Sequence, residues 1–217
     1  KERIVVGAHY DTAGMQPGAD DNASGVAGLI ELASLLREAS LPLCVELVAF
    51  TLEEEPHEFG TPMGSAVHAA SLRQQHIPVQ VMLSLEMIGY FTDAPHSQRF
   101  PLPFLAAVYP SQGDFIAIVG DLSQGLVVWQ IKQAMRSASS LPAHSLNAPR
   151  FVPGVDFSDH GNYWQAGYHA VMVTDTAFYR NAHYHTDHDT AATLDYERMA
   201  MVVQGVYAAV LASAQAS

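Results

Sequence analysis

The sequence is poor in cysteine, in long apolar runs and in positive charge, and each shortage excludes a class of protein. Its single cysteine, Cys44, rules out an internal disulfide framework and a cysteine-based zinc site. No apolar stretch reaches the roughly 20 residues that span a bilayer, so no membrane-spanning helix is predicted. Lys and Arg number 10 against 22 Asp and Glu, and the resulting formal net charge of -12 argues against a nucleic-acid partner.

The chain does contain enough apolar residues to form a full core. Hydrophobic residues make up 49% of the 217 positions and charged residues 15%, which excludes intrinsic disorder. No linker, internal repeat or low-complexity tract interrupts the sequence, so we expect one domain over residues 1–217. Cys44 lies in an apolar run and is expected to be a buried, unreactive thiol. The first residue is Lys1 and no signal peptide is recognisable, so the cellular compartment stays open.

Short β-rich runs alternate with helical patterns, which is typical of an α/β sheet with helices on both faces. Strands are predicted at residues 3–9, 44–51, 79–84, 115–119 and 170–174. Helices are predicted after the run 21–24, over residues 64–75 and from about residue 195. Residues 90–115 and 139–156 are predicted to be long loops that form pocket walls. The predicted buried stripes are Val26, Leu29, Ile30, Ala33 and Leu36 in the first helix and Met199, Val202, Val203, Val206 and Val210 in the last.

Polar residues stand where the predicted strands end. His9 follows the first strand, Glu53 and Glu54 follow the second, Glu86 ends the third, and His185 lies beyond the last. Ligands of open α/β sheets bind at the carboxyl ends of the strands, so we expect these side chains to converge in one crevice. Histidine and carboxylate groups suit Zn²⁺, and the sequence therefore predicts a zinc site there.

His9 and Asp11 are two positions apart at the end of the first strand. Side chains at this spacing point to the same side of a strand, so the Asp11 carboxylate can orient His9 and raise its basicity. A histidine that simply bonds to backbone at a strand end is the alternative interpretation.

Two adjacent acids lie between glycines in the run from Gly18 to Gly25. A carboxylate that bridges two cations needs a tight turn that brings the backbone close to them, and glycine permits such a turn. Asp21 is the predicted bridge. Helix capping by the Asp-Asn-x-Ser run is the alternative explanation.

Glu53, Glu54 and Glu55 follow the apolar second strand directly. Adjacent glutamates at a metal site can divide two tasks, because one ligates while its neighbour takes a proton from water whose pKa the metal lowers. Glu53 is predicted to be the base and Glu54 the ligand, which leaves Glu55 without a role. A solvated acidic loop is the alternative.

Glu86 is the one acid in an otherwise apolar segment, and His185 belongs to a loop that also contains His183 and His188. Burying a charged and unpaired carboxylate is prohibitive, so Glu86 is expected to be paired or bound to metal. We expect His185 alone to be a ligand in its loop. A histidine-rich loop that binds a metal by itself is the alternative.

Together these motifs resemble the zinc aminopeptidase family that includes bacterial leucyl and Streptomyces-type aminopeptidases, with glutaminyl cyclases as relatives. Each motif is weak alone, but the combination follows the family order along nearly the whole chain. The motifs are G-A-H-Y-D-T at 7–12, P-G-A-D-D-N-A-S-G at 17–25, A-F-T-L-E-E at 49–54, M-G-S-A-V-H-A at 63–69, L-E-M-I-G-Y at 85–90, S-D-H at 158–160 and Y-H-T-D-H-D-T at 184–190.

The resemblance implies a three-layer α/β/α sandwich of the phosphorylase/hydrolase-like type, with a mixed, mostly parallel central sheet. It implies two Zn²⁺ ions per chain, bridged by Asp21 and held by His9, Asp21, Glu54, Glu86 and His185. Asp11 would support His9, and Glu53 would be the general base. Asp159 and His160 match a family segment near the site, where they would either support a ligand from behind or contact substrate. The family also favours a soluble chain with a secreted or periplasmic location.

Two departures from the family pattern matter. The best-known aminopeptidases usually carry Asp where this sequence has Glu86, so the longer side chain is expected to change how that metal is held. Family members also carry a segment before the G-A-H-Y-D motif, so the sheet is expected to lack one or two N-terminal edge strands.

The resemblance thus implies an exopeptidase that hydrolyses the N-terminal peptide bond of peptides with a free amino terminus. Its water would be activated by two zinc ions, with Glu53 as the base. A single-zinc glutaminyl-peptide cyclotransferase is one alternative, and an inactive binding module of the same fold is another. His9 and the Asp21 turn favour two metals, and an inactive module should have lost ligands. The candidates for an apolar pocket are Phe91, Tyr109, Phe157, Tyr163, Trp164 and Phe178.

Overall fold

Strands and helices alternate through the part of the chain that the computed structural model describes, residues 1–54 and 62–215. The strands are β1 (Arg3–His9), β2 (Cys44–Phe50), β3 (Val79–Glu86), β4 (Ile116–Gly120), β5 (Ala143–Asn147) and β6 (Ala170–Thr174). The α-helices are α1 (Gly25–Leu36), α2 (Gly64–Gln74), α3 (Gly125–Ala138), α4 (His160–Gln165) and α5 (Tyr196–Gln215). None of the helices described is long and apolar enough to cross a bilayer.

The strands form one sheet in the order β2-β1-β3-β6-β4-β5. β1 pairs in parallel with β2 and β3, and β3 pairs in parallel with β6. β4 runs antiparallel to β6 and parallel to β5, so β4 and β5 point the opposite way from the other four strands. The sheet is therefore mixed and mostly parallel, as predicted.

Helices cover both faces of the sheet, and each face has its own apolar cluster. On one face, α1, α3 and α5 pack against alternate strand residues such as Ile4, Val6 and Leu83. On the other face, α2 and α4 pack against the intervening residues, such as Val5 and Met82. Side chains alternate between faces along a strand, so buried strands need apolar residues on both sides. The predicted three-layer α/β/α sandwich is confirmed.

The strand directions decide which edge of the sheet carries the polar side chains. β1, β2, β3 and β6 all end at the same edge, where His9 pairs in register with Phe50 and Glu86 with Thr174. His9 continues the face that carries Val5, and Glu86 continues the face that carries Met82. Both polar side chains therefore project on the side of the sheet that α2 and α4 cover.

The sequence patterns did not predict α3 and β5. β5 lies inside residues 139–156, which were expected to be a loop, and its residues include the polar His144, Ser145 and Asn147. α3 buries Val128, Ile131 and Met135, while Leu126 and Trp129 on its surface are exposed. Apolar residues on both sides of the helix obscured its buried stripe, and an edge strand has no need for a continuous apolar run.

Two smaller predictions were wrong. Cys44 is exposed, because it begins β2, and β2 forms an outer edge of the sheet. In α1 the buried stripe includes Leu32, whereas Ile30 and Ala33 face solvent. The helix starts at Gly25, whose amide donates to the side chain of Asn22, while Ser24 makes no capping bond. The stripe predicted for the last helix is confirmed, with Met199, Val202, Val203, Val206 and Val210 all buried.

We expect Leu32→Ala to lower the free energy of unfolding by about 2–5 kcal/mol, because the side chain is fully buried and its removal leaves a cavity. The matched control is Leu35→Ala in the same helix, where the side chain is 42% exposed and the loss should be at most about 1 kcal/mol. Urea unfolding of both variants measures the difference, and equal losses would contradict this packing.

Candidate metal centre

Two groups of histidine and carboxylate side chains meet at the carboxyl ends of the parallel strands. One group contains His9, Glu53 and Glu86, and the other contains Asp21, Glu54 and His185. In each group the potential ligand atoms all lie within 4.8 Å of one another. All the ligands predicted from the sequence, and the predicted base Glu53, are therefore brought together.

Asp21 connects the two groups through its two carboxylate oxygens. Oδ1 lies 3.3 Å from His9 Nε2, and Oδ2 lies 3.1 Å from His185 Nε2. On the first side, His9 Nε2 is also 3.4 Å from Glu86 Oε2 and 3.9 Å from Glu53 Oε2. On the second side, His185 Nε2 is 3.1 Å from Glu54 Oε1. This is the arrangement that a bridging carboxylate requires.

The turn that carries Asp21 is held by its own neighbours. The Asn22 side chain donates to the carbonyl of Leu85 (2.8 Å) and accepts from the amide of Met87 (3.0 Å), so it binds the residues on both sides of Glu86. Its Oδ1 also accepts from the amide of Gly25 at 3.2 Å. A Cβ at Gly25 would lie only 2.5 Å from that oxygen, so this close approach requires glycine.

Asp11 contacts His9 and Glu54 at the same time. His9 Nδ1 donates to the backbone carbonyl of Asp11 at 3.1 Å, and the Asp11 carboxylate lies 3.7 Å from the same nitrogen. Asp11 Oδ2 accepts from the backbone amide of Glu54 at 3.0 Å. The hydrogen bond at Nδ1 leaves Nε2 of a neutral His9 as the nitrogen whose lone pair faces the carboxylates.

Glu86 reaches the site with support from two serines. Ser158 Oγ donates to Glu86 Oε2 at 2.7 Å, and Ser84 Oγ lies 3.1 Å from Ser158 Oγ. All of these groups are buried. The Glu86 side chain therefore ends on a fixed hydrogen-bond donor, within reach of His9.

The histidines are drawn towards their charged forms by the surrounding acids. Burial alone would lower the pKa of His9, but Glu86, Asp11 and Asp21 outweigh burial and raise it. The hydrogen bond with Asp21 raises the pKa of His185. Burial pushes the pKa of Asp21 upward, yet the contacts with His185 and His9 lower it to about 2. Asp21 therefore stays ionised in the metal-free protein.

The two glutamates show the opposite behaviour. Burial and the charge of Glu86 raise the pKa of Glu53 to about 9, and burial and the charge of Asp21 raise that of Glu54 to about 7. Packing several acids into one buried site is unfavourable unless protons or cations neutralise them. Without metal, protons on the glutamates and histidines offset the repulsion, and divalent cations would take their place.

Asp159 and His160 lie behind the site. Burial raises the pKa of Asp159 to about 7, and its two carboxylate oxygens have no hydrogen-bond partner among the described residues. His160 is fully buried, donates through Nε2 to the carbonyl of Val155 at 2.8 Å, and packs edge-on against Trp164. Both positions are deep in the protein, and the role predicted for them stays a prediction.

The other two histidines of the His185 loop, His183 and His188, belong to neither group. The His183 ring packs against Tyr90, and His188 is exposed. The Tyr184 ring stacks on His185 at 3.8 Å. Glu55, to which the sequence assigned no role, lies outside the described residues.

The donor set fits a pair of divalent cations such as zinc. His9 Nε2 is buried and, among the described residues, has no hydrogen-bond partner, although three carboxylates lie within 4 Å of it. An unsatisfied buried nitrogen that faces carboxylates is expected where a metal ion belongs. The histidine and carboxylate ligands match the preference of zinc, and they exclude a thiolate site.

Two clefts open from the metal centre. The first has a volume of about 850 Å³, part of it open to solvent, and begins at Glu86 and Tyr184. Its walls are mainly apolar and include Phe100, Leu105, Tyr109, Phe115, Phe157 and Phe178. The second has a volume of about 720 Å³ and begins at Glu53, and its walls are more polar, with Arg150, Asp156, Asn162 and Gln165. Phe157 separates the two clefts.

Half of the aromatic residues proposed for an apolar pocket lie in the first cleft. Tyr109, Phe157 and Phe178 line it, and His144 and Ser145 of the unpredicted strand β5 contribute to its wall. Phe91 and Tyr163 are core residues, and Trp164 lines the polar cleft. Sequence reasoning also missed the contacts of Ser158 and Asn22, although both belong to recognised motifs.

Comparison with known proteins identifies the family. The family model described as Peptidase family M28 matches residues 1–210, so the chain belongs to peptidase family M28. This confirms the resemblance to zinc aminopeptidases. The chain is 52% identical to the uncharacterized protein YfbL of Escherichia coli K12 over 94% of its own length and 64% of that protein. It is 24% identical to leucine aminopeptidase 1 of Emericella nidulans, over 92% of the chain and 49% of that protein.

Solved structures show the same fold. The chain is similar to LapA of Legionella pneumophila (TM-score 0.76, 22% identity; 98% of the chain, 52% of LapA). It is similar to BSAP, a zinc aminopeptidase from Bacillus subtilis (TM-score 0.70, 22% identity; 96% of the chain, 45% of BSAP). It is also similar to a glutaminyl cyclase of Bacteroides thetaiotaomicron (TM-score 0.65, 17% identity; 97% of the chain, 73% of the cyclase). The chain thus spans about half the length of the aminopeptidases it matches.

The buried histidine behind the site predicts a pH dependence of stability. Burial lowers the pKa of His160 to about 4, against about 6.5 in an unfolded chain. The unfolded chain therefore binds the proton first, and stability that is fully present above about pH 6.5 is lost as the pH falls towards about 4. Between about pH 7.5 and about pH 5, the unmodified chain should lose about 2 kcal/mol more unfolding free energy than His160→Gln.

Urea unfolding of the metal-free proteins in the presence of a chelator measures this difference. His96→Gln, a change at an exposed histidine, is the control and should follow the unmodified chain. The same pH dependence in His160→Gln and in the unmodified chain would contradict the assignment of a neutral, buried His160.

Proposed function

We propose that this chain is a zinc-dependent aminopeptidase that hydrolyses the N-terminal peptide bond of peptides with a free amino terminus. The observation that carries the proposal is the pair of ligand groups joined by Asp21, with Glu53 beside them. Membership of peptidase family M28 and similarity to a zinc aminopeptidase support it.

Two zinc ions would be held by the side chains that already face one another. His9 and Glu86 would hold one ion, Glu54 and His185 the other, and Asp21 would contact both. When bound, zinc acts as a Lewis acid that polarises the scissile carbonyl and lowers the pKa of water. The same charge would neutralise the acidic side chains and displace the protons that they carry in the metal-free protein.

Glu53 is positioned to move the proton that hydrolysis requires. Its carboxylate lies beside His9 at the mouth of the polar cleft, and it is largely buried. Glu53 would accept a proton from the attacking water and deliver it to the nitrogen of the leaving amine. In the metal-free protein Glu53 holds a proton of its own, because burial raises its pKa. Bound cations would displace that proton, which leaves a carboxylate that can act as the base.

The two clefts give the substrate a direction. The apolar cleft begins at Glu86, so the first side chain of the substrate would enter it while the free amine stays close to the acidic residues. The polar cleft begins at Glu53, which is where the leaving part of the peptide would extend. The acidic side chains near Glu86 would attract the charged amine of the substrate, so the site favours cleavage at the amino terminus. Peptides with a large apolar first residue are the expected substrates.

The alternatives are less consistent with the site. A cyclotransferase with a single zinc would need one ligand group, whereas the chain carries a second group around His9. An inactive module would have no reason to retain every ligand together with Glu53. Release of ammonia from a peptide with an N-terminal glutamine, with no peptide bond cleaved, would favour the cyclotransferase instead.

Metal content is the first test. The unmodified chain should bind two zinc ions per molecule, measured by elemental analysis after equilibrium dialysis. His185→Ala should bind fewer than two, because it removes a ligand nitrogen from one group. His188→Ala in the same loop is the matched control, and it should keep both ions because His188 is exposed and outside the groups. Equal zinc content in the two variants would contradict the ligand assignment.

Cleavage of aminoacyl anilides and short peptides is the second test. Glu53→Gln should lower kcat by about 10²–10⁴-fold while zinc content stays at the unmodified level, because only proton transfer is lost. Asp187→Asn, which removes an exposed carboxylate, should leave kcat unchanged. Full activity in Glu53→Gln would refute its role as base. No cleavage by the zinc-loaded unmodified chain would refute the proposed function.

A further inference from the structure

Asp189 forms a second set of contacts with the turn that carries Asp21. The carboxylate is buried, with 1% of the residue exposed. Oδ1 accepts from the backbone amide of Asp20 at 2.9 Å, and Oδ2 accepts from the backbone amide of Asp21 at 3.0 Å. The carbonyl of Asp189 also accepts from the amide of Ala19 at 3.1 Å. One residue thus binds three consecutive amides of the turn that presents the bridging carboxylate.

The same loop carries His185. The amide of Asp189 donates to the carbonyl of Thr186 at 3.1 Å, which closes the loop directly after His185. From the other side of His185, the Asn181 side chain donates to Asp20 Oδ2 at 2.8 Å. The loop is therefore fastened to the Asp21 turn on both sides of its own ligand. Without these contacts, Asp21 and His185 could move relative to each other.

The chemistry of the contact explains why this position holds an aspartate. Two adjacent amides need two acceptors, and an ionised carboxylate is the small side chain that offers two acceptors and no donor. No Lys, Arg or His of the described chain forms an ion pair with Asp189. Burying a carboxylate beside other acids is costly, and the two amide bonds offset that cost.

We propose that Asp189 is a positioning residue that fixes the bridging carboxylate of Asp21 relative to His185, and thereby sets the zinc affinity of the Asp21, Glu54 and His185 group. The inference rests on the proposed function for the presence of zinc. It concerns how the ligands are held, and it is independent of which substrate is cleaved.

Three variants of the full chain test this role. Asp189→Asn keeps the size of the side chain but replaces one acceptor with a donor, so one buried amide loses its partner. Asp189→Glu keeps the charge but moves the acceptors by one methylene. Asp187→Asn is the control, because it removes an exposed carboxylate from the same loop, and Asp187 forms no side-chain hydrogen bond or ion pair within the described part of the chain.

Zinc affinity is measured by competition with a chelator, together with the visible spectrum of the Co²⁺-substituted proteins. At the group of Asp21, Glu54 and His185, both Asp189 variants should lose about 10–100-fold in zinc affinity, a typical effect of changing a residue that orients a metal ligand. Their Co²⁺ spectra should differ from that of the unmodified chain, and Asp187→Asn should match the unmodified chain in both measurements. Thermal unfolding without metal separates a loss of stability from a loss of affinity.

The outcomes are distinct. Unchanged zinc affinity in both Asp189 variants, even with a lower unfolding temperature, would show a structural role only and overturn the inference. Loss of affinity in Asp189→Asn with full affinity in Asp189→Glu would show that charge matters and position does not, which also overturns it. Should Asp189→Asn fail to fold, Asp189→Glu alone decides the question. Zinc binding without peptide cleavage by the unmodified chain would refute the proposed function and leave this inference standing.

Discussion

Repulsion between carboxylates at one edge of the sheet is the constraint on which the rest of the structure depends. Asp21, Glu53, Glu54 and Glu86 are largely or fully removed from water, and they approach within a few ångströms of the same two histidines. In a medium of low polarity such a group is stable only if positive charge is drawn into it. In the metal-free protein, bound protons neutralise part of this negative charge, because the pKa values of Glu53, Glu54 and both histidines are raised. Divalent cations would supply the same positive charge, and they would supply Lewis acidity as well.

Because the acidic ligands repel one another, other contacts must keep them from moving apart. The surrounding residues provide these contacts. Asn22 fastens the Asp21 turn to the end of β3 beside Glu86, and Asp189 fastens it to the loop of His185. Asp11 and Ser158 hold the Glu54 backbone and the Glu86 carboxylate. Each of these contacts is short, buried or partly buried, and made to backbone or to a ligand directly. The rigid sheet supplies the frame, and the loops supply the chemistry.

The reversal of strand direction after β6 gives the site its two sides. Four strands end at the metal edge, whereas β4 and β5 run the other way and lend side chains to the wall of the apolar cleft. The polar cleft lies on the side of α4 and the residues before it. The candidate metal centre therefore lies between an apolar cleft and a polar cleft, and a peptide bound across it would contact both.

The sequence alone determined the fold class, the family and the identity of the residues that meet at the site, because strand-end positions and motif order are local properties of the chain. His9, Asp21, Glu53, Glu54, Glu86 and His185 were all recognisable in this way. Tertiary structure decided what local patterns do not encode. β5 and α3 have mixed surfaces, and the exposure of Cys44 depends on β2 being at the edge. The same holds for the bonds of Asn22 to Leu85 and Met87, of Ser158 to Glu86 and of Asp189 to Asp21. Each of these bonds joins residues at least 63 positions apart in sequence, and only folding brings such residues into contact.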